Sequence, residues 1–212
     1  LYAVLLIGVL AAWVTPLGFL LYEVDSTGYI RFFSDHMKYL GGVAPLLLGG
    51  VVTWRLLRGG FPKRESRALW ACLVMSLLLF GVGGVLGFMI AGVNVVIPAH
   101  YHGSIVGVTL AFMGLIYYLL PRFGYAPVAG TKLAFWQPLL YGGGQLLHIV
   151  GLAWAGGYGV ARKTAGALEA SYSAAELAMQ VMRIGGLLAV IGGGLFVVVV
   201  LRAVYVSKRL PT

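Results

Sequence analysis

Two histidines separated by one residue, His100 and His102, are the side chains best suited to chemistry in this sequence. On an α-helix such positions point about 200° apart, at roughly 100° per residue. The two imidazoles therefore cannot bind one metal ion together, but each can bind a separate ion on its own face of the helix. Imidazole is a usual axial ligand of haem iron, so the pair predicts two haems side by side. The alternative is two histidines bonded to backbone or water at a membrane interface.

The remaining histidines are His36 and His148. With the topology described below, all four imidazoles fall in the outer half of a membrane. Ionisable side chains inside a membrane are rare and usually functional. Because almost no acidic residue lies deeper, the histidines indicate a set of ligands and not a proton path.

The composition excludes a water-soluble protein. Of the 212 residues, 60% are hydrophobic and 10% are charged, whereas a soluble domain has roughly 25% charged residues. The net charge of +9 is explained by basic residues that flank membrane helices, so we expect no nucleic-acid partner. Cys72 is the only cysteine, which excludes an internal disulfide and a cysteine-based metal cluster.

Six apolar segments are each long enough to cross a membrane, which takes about 20 residues. They are residues 1–21, 31–54, 69–97, 99–120, 133–155 and 182–206. No soluble linker or domain boundary separates them. We therefore predict an all-α integral membrane bundle of about six transmembrane helices, with residues 1–212 forming a single transmembrane domain.

The basic residues predict the orientation of this bundle. Of the 15 lysines and arginines, only five fall on one side of the predicted membrane, namely Arg31, Lys38, Arg162, Lys163 and Arg183. The side richer in basic residues faces the cytoplasm, so both termini are predicted to be cytoplasmic. We expect the protein in the inner (cytoplasmic) membrane of a prokaryote.

The 32 glycines are concentrated within the predicted helices, as at Gly83, Gly84 and Gly87. Small residues in membrane helices usually allow close helix packing. The alternative is that they make room for a flat cofactor.

Four stretches of the sequence resemble the catalytic subunit (subunit I) of the haem-copper oxidases. The stretch Val96–Gly103, VIPAHYHG, resembles the tenth helix of that family, with its Ala-His-aromatic-His motif, and Leu79–Gly87 resembles the ninth. Pro121–Tyr125 and Gln145–Leu152 resemble the segments that follow. The whole chain is thus similar to the C-terminal half of the subunit, helices seven to twelve.

The resemblance implies a role for each matched residue. His100 matches the ligand of the high-spin haem, and His102 matches one ligand of the low-spin haem. The second low-spin ligand lies on family helix two, so another chain or an N-terminal half would supply it. Arg162 and Lys163 match a basic pair that contacts haem propionates, or they are an ordinary pair of loop charges. His148 matches a position that is not an iron ligand and is interpreted as a hydrogen-bonding core histidine.

Departures from the family pattern concern copper. The oxidases bind copper through a His-His pair after helix seven, but the matching place, Trp13–Pro16, has no histidine. The segment Pro45–Val52 also lacks the lysine of the family's proton channel. Copper is therefore not expected. The sequence has no Cys-x-x-Cys-His motif, so we expect one or two haems b held without covalent bonds.

One segment, Asp35–Lys38, is peculiar to this sequence. His36 could complete a six-coordinate haem opposite His100, in the place of the lost copper, with Asp35 orienting the imidazole. The alternative is an interfacial cap in which Lys38 extends toward water.

These observations predict a haem-b-binding electron-transfer subunit of a larger membrane oxidoreductase. Its expected partners are lipid, other membrane subunits, and cytochrome c or quinol. No catalytic residue is assigned, and the chain is expected to be a non-catalytic or partly catalytic redox subunit of an oxidase-like oxidoreductase. Two alternatives remain open: half of a split terminal oxidase or nitric-oxide reductase, and a non-redox membrane subunit with a vestigial fold.

Overall fold

A computed structural model describes residues 1–160 and 173–207 of the chain, without the side chain of Ser173. Those residues form helices joined by short turns, with no β-strand among them. The helices are α1 (Tyr2–Leu21), α2 (Thr27–Asp35), α3 (Val43–Gly59), α4 (Arg67–Phe88), α5 (Val96–Leu119), α6 (Lys132–Gly157) and α7 (Ser173–Ser207). They belong to two compact units, Leu1–Gly60 and Phe61–Thr212.

The first unit contains α1 to α3. The side chain of Ser26 accepts a hydrogen bond from the backbone N–H of Tyr29 and so caps the start of α2. A π-helical turn, His36–Leu40, follows α2, and the segment Thr27–Gly59 has the length and composition of one membrane span. Gly18 of α1 leaves the space that the aromatic side chains of α2 occupy.

The second unit begins with the pair α4 and α5, whose backbones approach closely at three glycines. A Cβ atom at Gly83 of α4 would lie 2.5 Å from the backbone nitrogen of Ser104 on α5. Cβ atoms at Gly103 and Gly107 of α5 would meet the α4 backbone at 2.7 and 2.8 Å. Such distances are too short for any side chain, so glycine is required at this interface.

The helices α6 and α7 also pack closely at glycines. Cβ atoms at Gly144 and Gly151 of α6 would each meet an α7 backbone nitrogen at 2.5 Å, and Gly185 and Gly192 of α7 lie equally close to α6. Close packing of helices therefore explains these seven glycines. Gly81 and Gly84 of α4 differ, because a Cβ atom there would have no neighbour within 4 Å.

The predicted fold class is confirmed. By length and composition, five segments of the described residues could cross a membrane: Tyr2–Leu21, Thr27–Gly59, Arg64–Phe88, Val96–Phe123 and Ala174–Ser207. The remaining predicted span, residues 133–155, corresponds to α6, which has 26 residues but carries Gln137, Gln145 and His148 among its apolar residues. The chain is a helical integral membrane protein; the cytoplasmic placement of its ends stays a prediction.

A buried polar network joins α5, α6 and α7. The Tyr117 hydroxyl donates to Oε1 of Gln137 at 3.0 Å, and Nε2 of Gln137 donates to the carbonyl of Gly192 at 3.1 Å. Tyr117 is 1% exposed and Gln137 is fully buried. Each hydrogen bond therefore satisfies a polar group that water cannot reach.

We expect Tyr117→Phe to destabilise this unit by about 1–3 kcal/mol, because it leaves the buried Oε1 of Gln137 without a donor. Thermal unfolding of the purified membrane protein in detergent measures the effect. The matched control is Tyr118→Phe on the same helix, where the lost bond is an exposed one to Arg122 and the expected change is below about 0.5 kcal/mol. Equal melting temperatures for the two variants would contradict the prediction.

Candidate functional site

His100 lies one turn into α5 and faces α4. Its Nδ1 atom is 2.7 Å from the carbonyl oxygen of Gly83. A carbonyl oxygen can only accept, so Nδ1 carries the proton and donates. The neutral ring then has its lone pair on Nε2, the nitrogen that a metal ion can bind. Histidine ligands of metals are usually oriented by a hydrogen bond of this kind.

Gly87 makes room for this imidazole. A Cβ atom at Gly87 would lie 2.8 Å from Nδ1 of His100 and 2.9 Å from its Cε1 atom. Gly83 and Gly87 are four residues apart and so share one face of α4. The carbonyl of Gly83 accepts the hydrogen bond from the His100 ring, and Gly87 leaves the space that this ring fills.

His102 faces the other way, as its spacing from His100 predicts. Its ring packs against that of His148 on α6, with 4.7 Å between the ring centroids and an angle of 70° between the ring planes. The His102 side chain is otherwise largely exposed. The two histidines of α5 therefore belong to two separate half-sites, one beside α4 and one beside α6.

His148 is held by α7. Its Nδ1 atom lies 3.0 Å from the carbonyl oxygen of Met182, so this nitrogen also donates and the lone pair is on Nε2. The hydrogen bond predicted for His148 is confirmed, although the residue is only half-buried. Two imidazoles on opposite sides of one iron have centroids roughly 6 Å apart, since each metal–nitrogen bond is about 2 Å. The rings of His102 and His148 are too close for that arrangement.

His36 is bonded within its own unit. Its Nε2 atom lies 2.8 Å from the carbonyl oxygen of Ala11 and 3.5 Å from the hydroxyl of Thr15, both on α1. The Asp35 carboxylate lies 3.8 Å from the Arg31 guanidinium. Iron ligation through Nε2 of His36 would require the bond to Ala11 to break, and this role stays a prediction.

Two expected site residues cannot be placed. Arg162 and Lys163 lie outside the described residues. Their predicted contact with haem propionates therefore stays a prediction.

The donor set of the second unit fits haem. Among residues 1–160 and 173–207, no three His, Cys, Asp or Glu side chains converge in a way that could hold a bare metal ion. Haem needs fewer protein ligands, because the porphyrin supplies the equatorial nitrogens and the chain adds one imidazole on a face. His100 meets that need, with its ring fixed and its Nε2 lone pair available.

Three participants in this arrangement were not assigned a role from sequence. The carbonyls of Gly83 and Met182 orient two imidazoles, but a backbone carbonyl carries no signal in residue type. Gln145, one turn before His148, has a buried Oε1 atom without a hydrogen-bond partner in the described part of the chain. An amide oxygen so placed is costly unless a donor from outside these residues reaches it.

Comparison with known proteins places the chain in a family. Residues 1–193 match the family model described as cytochrome c and quinol oxidase polypeptide I. An uncharacterised protein of Rickettsia prowazekii is 34% identical over 90% of this chain and 44% of its own length. An uncharacterised protein of Aquifex aeolicus is 34% identical over 43% of this chain and 23% of its own length.

The chain thus spans less than half the length of these two relatives. The family model covers nearly all of it, including all four histidines and the glycines that pack against two of them. The chain belongs to the cytochrome c and quinol oxidase polypeptide I family, the subunit I family of the haem-copper oxidases.

Proposed function

We propose that this chain is a haem-b-binding electron-transfer subunit of a larger membrane oxidoreductase. The observation that carries the proposal is the hydrogen bond from Nδ1 of His100 to Gly83, which leaves Nε2 free to bind iron. Family membership supports haem as the ligand. Haem b, when bound, takes up and releases single electrons, and its potential is set by the protein around it.

In this proposal the two faces of α5 serve two haems. His100 ligates one through Nε2, beside α4. His102 ligates the other on the side of α6, where His148 is too close to be the second ligand. The second ligand of the His102 haem would then come from another chain or from an N-terminal half of the subunit.

The chain corresponds to the C-terminal half of subunit I. Its Ala-His-Tyr-His stretch matches the tenth of the family's helices, and each relative named above is more than twice as long as the part that it shares with this chain. The partner half would bring the N-terminal helices. Arg162 and Lys163 would neutralise haem propionates on the outer side.

We further propose that the copper site is lost. The residue types support this proposal, because the segment Trp13–Pro16 has no imidazole where the family places its histidine pair. Without copper, the complex would pass electrons between cytochrome c or quinol on the outer side and a partner subunit in a prokaryotic inner membrane.

A second candidate function is half of a split terminal oxidase or nitric-oxide reductase. The hydrogen bond of His36 favours this candidate, because Nε2 of the His36 ring is already bonded to the carbonyl oxygen of Ala11. If that bond persists, His36 would not be available through Nε2 as a second protein ligand for a haem held by His100, and such a haem would be able to bind a diatomic gas.

Spectroscopy of the purified complex tests the proposal. We expect a reduced-minus-oxidised spectrum with b-type haem bands, and iron without copper in a metal inventory. Carbon monoxide should leave the bands unchanged if the haems are six-coordinate. Carbon monoxide binding would favour the second candidate. Detection of copper would indicate an oxidase and contradict the loss of the copper site. An absence of haem bands would indicate a non-redox subunit.

A further inference from the structure

We infer that His148 is a positioning residue for His102: it fixes the rotation of the His102 imidazole and thereby the plane in which that ring meets iron. The inference rests on the proposed function, since it assumes that His102 ligates a haem. His148 itself binds no iron in this arrangement. It affects the iron only through the imidazole of His102.

Two contacts with α7 hold the Nδ1 edge of the His148 ring. Its Nδ1–H donates to the carbonyl of Met182 at 3.0 Å. A Cβ atom added at Gly186 would come within 3.2 Å of the same Nδ1 atom, so the ring lies directly over the bare glycine backbone. Close backbone contact at Gly185 fixes α6 and α7 relative to each other at this level.

His102 has no comparable anchor. Within the described part of the chain, no hydrogen bond reaches its ring, whereas His100, His148 and His36 each have one to a backbone carbonyl. The edge-to-face contact with His148, at 4.7 Å and 70°, is therefore what restricts its rotation. Aromatic ring pairs prefer edge-to-face or offset arrangements, so this contact favours one rotation of the His102 ring.

The orientation of an axial imidazole affects the iron it binds. Groups that orient a histidine ligand also tune its strength as a ligand, and their loss typically weakens metal binding or activity by about 10–100-fold. A change in the His102 plane should therefore alter both the electron paramagnetic resonance signal and the reduction potential of the low-spin haem.

Two variants of the full membrane complex test the inference without touching His102. His148→Phe keeps a ring in place but removes the bond to Met182. Gly186→Ala keeps both histidines, and its added methyl group displaces the His148 ring. The control is Gly194→Ala on the same helix, where a Cβ atom has no neighbour within 4 Å. Low-spin g-values and the midpoint potential are measured for each.

Both variants are expected to keep the low-spin haem, shift its g-values, and change its redox equilibrium constant by about tenfold, which is about 59 mV for one electron. The control should match the unmodified protein. Unchanged g-values and potential in Gly186→Ala would overturn the inference, even if His148→Phe fails to fold. Failure of the proposed function looks different: the unmodified complex would then show no low-spin haem signal at all, and the inference would fall with it.

Discussion

Replacing His102 by alanine is expected to remove the haem that His102 binds and to leave the haem at His100 bound, while His100→Ala does the reverse. The two rings lie on opposite faces of α5, one bonded to Gly83 and the other packed on His148. Each substitution therefore removes the ligand of one haem iron and leaves the ligand of the other haem iron in place. Loss of an axial ligand should lower haem affinity at least as much as loss of a group that orients one, about 10–100-fold.

Haem content per protein and low-spin electron paramagnetic resonance of the purified complex measure this result. The expected outcome is one haem lost in each variant, with different spectra remaining. Thermal unfolding in detergent provides the control for folding, because His100 is half-buried and His102 is exposed. Removal of either side chain should leave the glycine contacts of α4 and α5 intact. If both variants retain both haems, the histidines are hydrogen-bonding residues and the proposed function is wrong.

Gly87→Ala is expected to displace the imidazole of His100. The added methyl group would lie 2.8 Å from Nδ1 and 2.9 Å from Cε1 of that ring. The ring must then move or turn, which weakens its bond to Gly83 and moves Nε2 away from iron. Overpacking of this kind costs about 1–3 kcal/mol, and a loss of 1.4 kcal/mol at the haem corresponds to about a tenfold lower affinity.

The matched control is Gly81→Ala, on the same helix and with no atom within 4 Å of the added methyl group. Titration of the purified protein with haem compares the two variants. The affinity of Gly81→Ala should equal that of the unmodified protein, and that of Gly87→Ala should be about tenfold lower. Equal affinities for both variants would show that the His100 ring is not the iron ligand or that α4 adapts to the methyl group.

Much of the fold was predictable because membrane insertion is a local property of the sequence. Long apolar segments without charges must be helical, since only internal hydrogen bonds satisfy their backbone. The boundary after the third predicted span was less accurate. The prediction extended it to residue 97, but α4 ends at Phe88. A turn follows in which Gly92 has a φ of +78° and the Asn94 side chain accepts a hydrogen bond from the backbone of Val96.

The separation of His100 and His102 was also predictable. Helix geometry sends positions i and i+2 to nearly opposite faces, and the structure places the two rings beside different helices. The close packing at Gly83 could be anticipated from composition. The specific space that Gly87 leaves for an imidazole could not, because the sequence does not show which residue of α5 lies opposite.

The sequence by itself determined that this is a helical membrane protein, which family it resembles, and that two imidazoles leave one helix in opposite directions. Tertiary structure alone decided what holds each imidazole. His100 and His148 are fixed by backbone carbonyls of neighbouring helices, and every residue type offers the same carbonyl. Likewise, the ring of His148 on α6 meets that of His102 on α5 because of the register between these two helices, and residue types alone do not show how two packed helices are aligned.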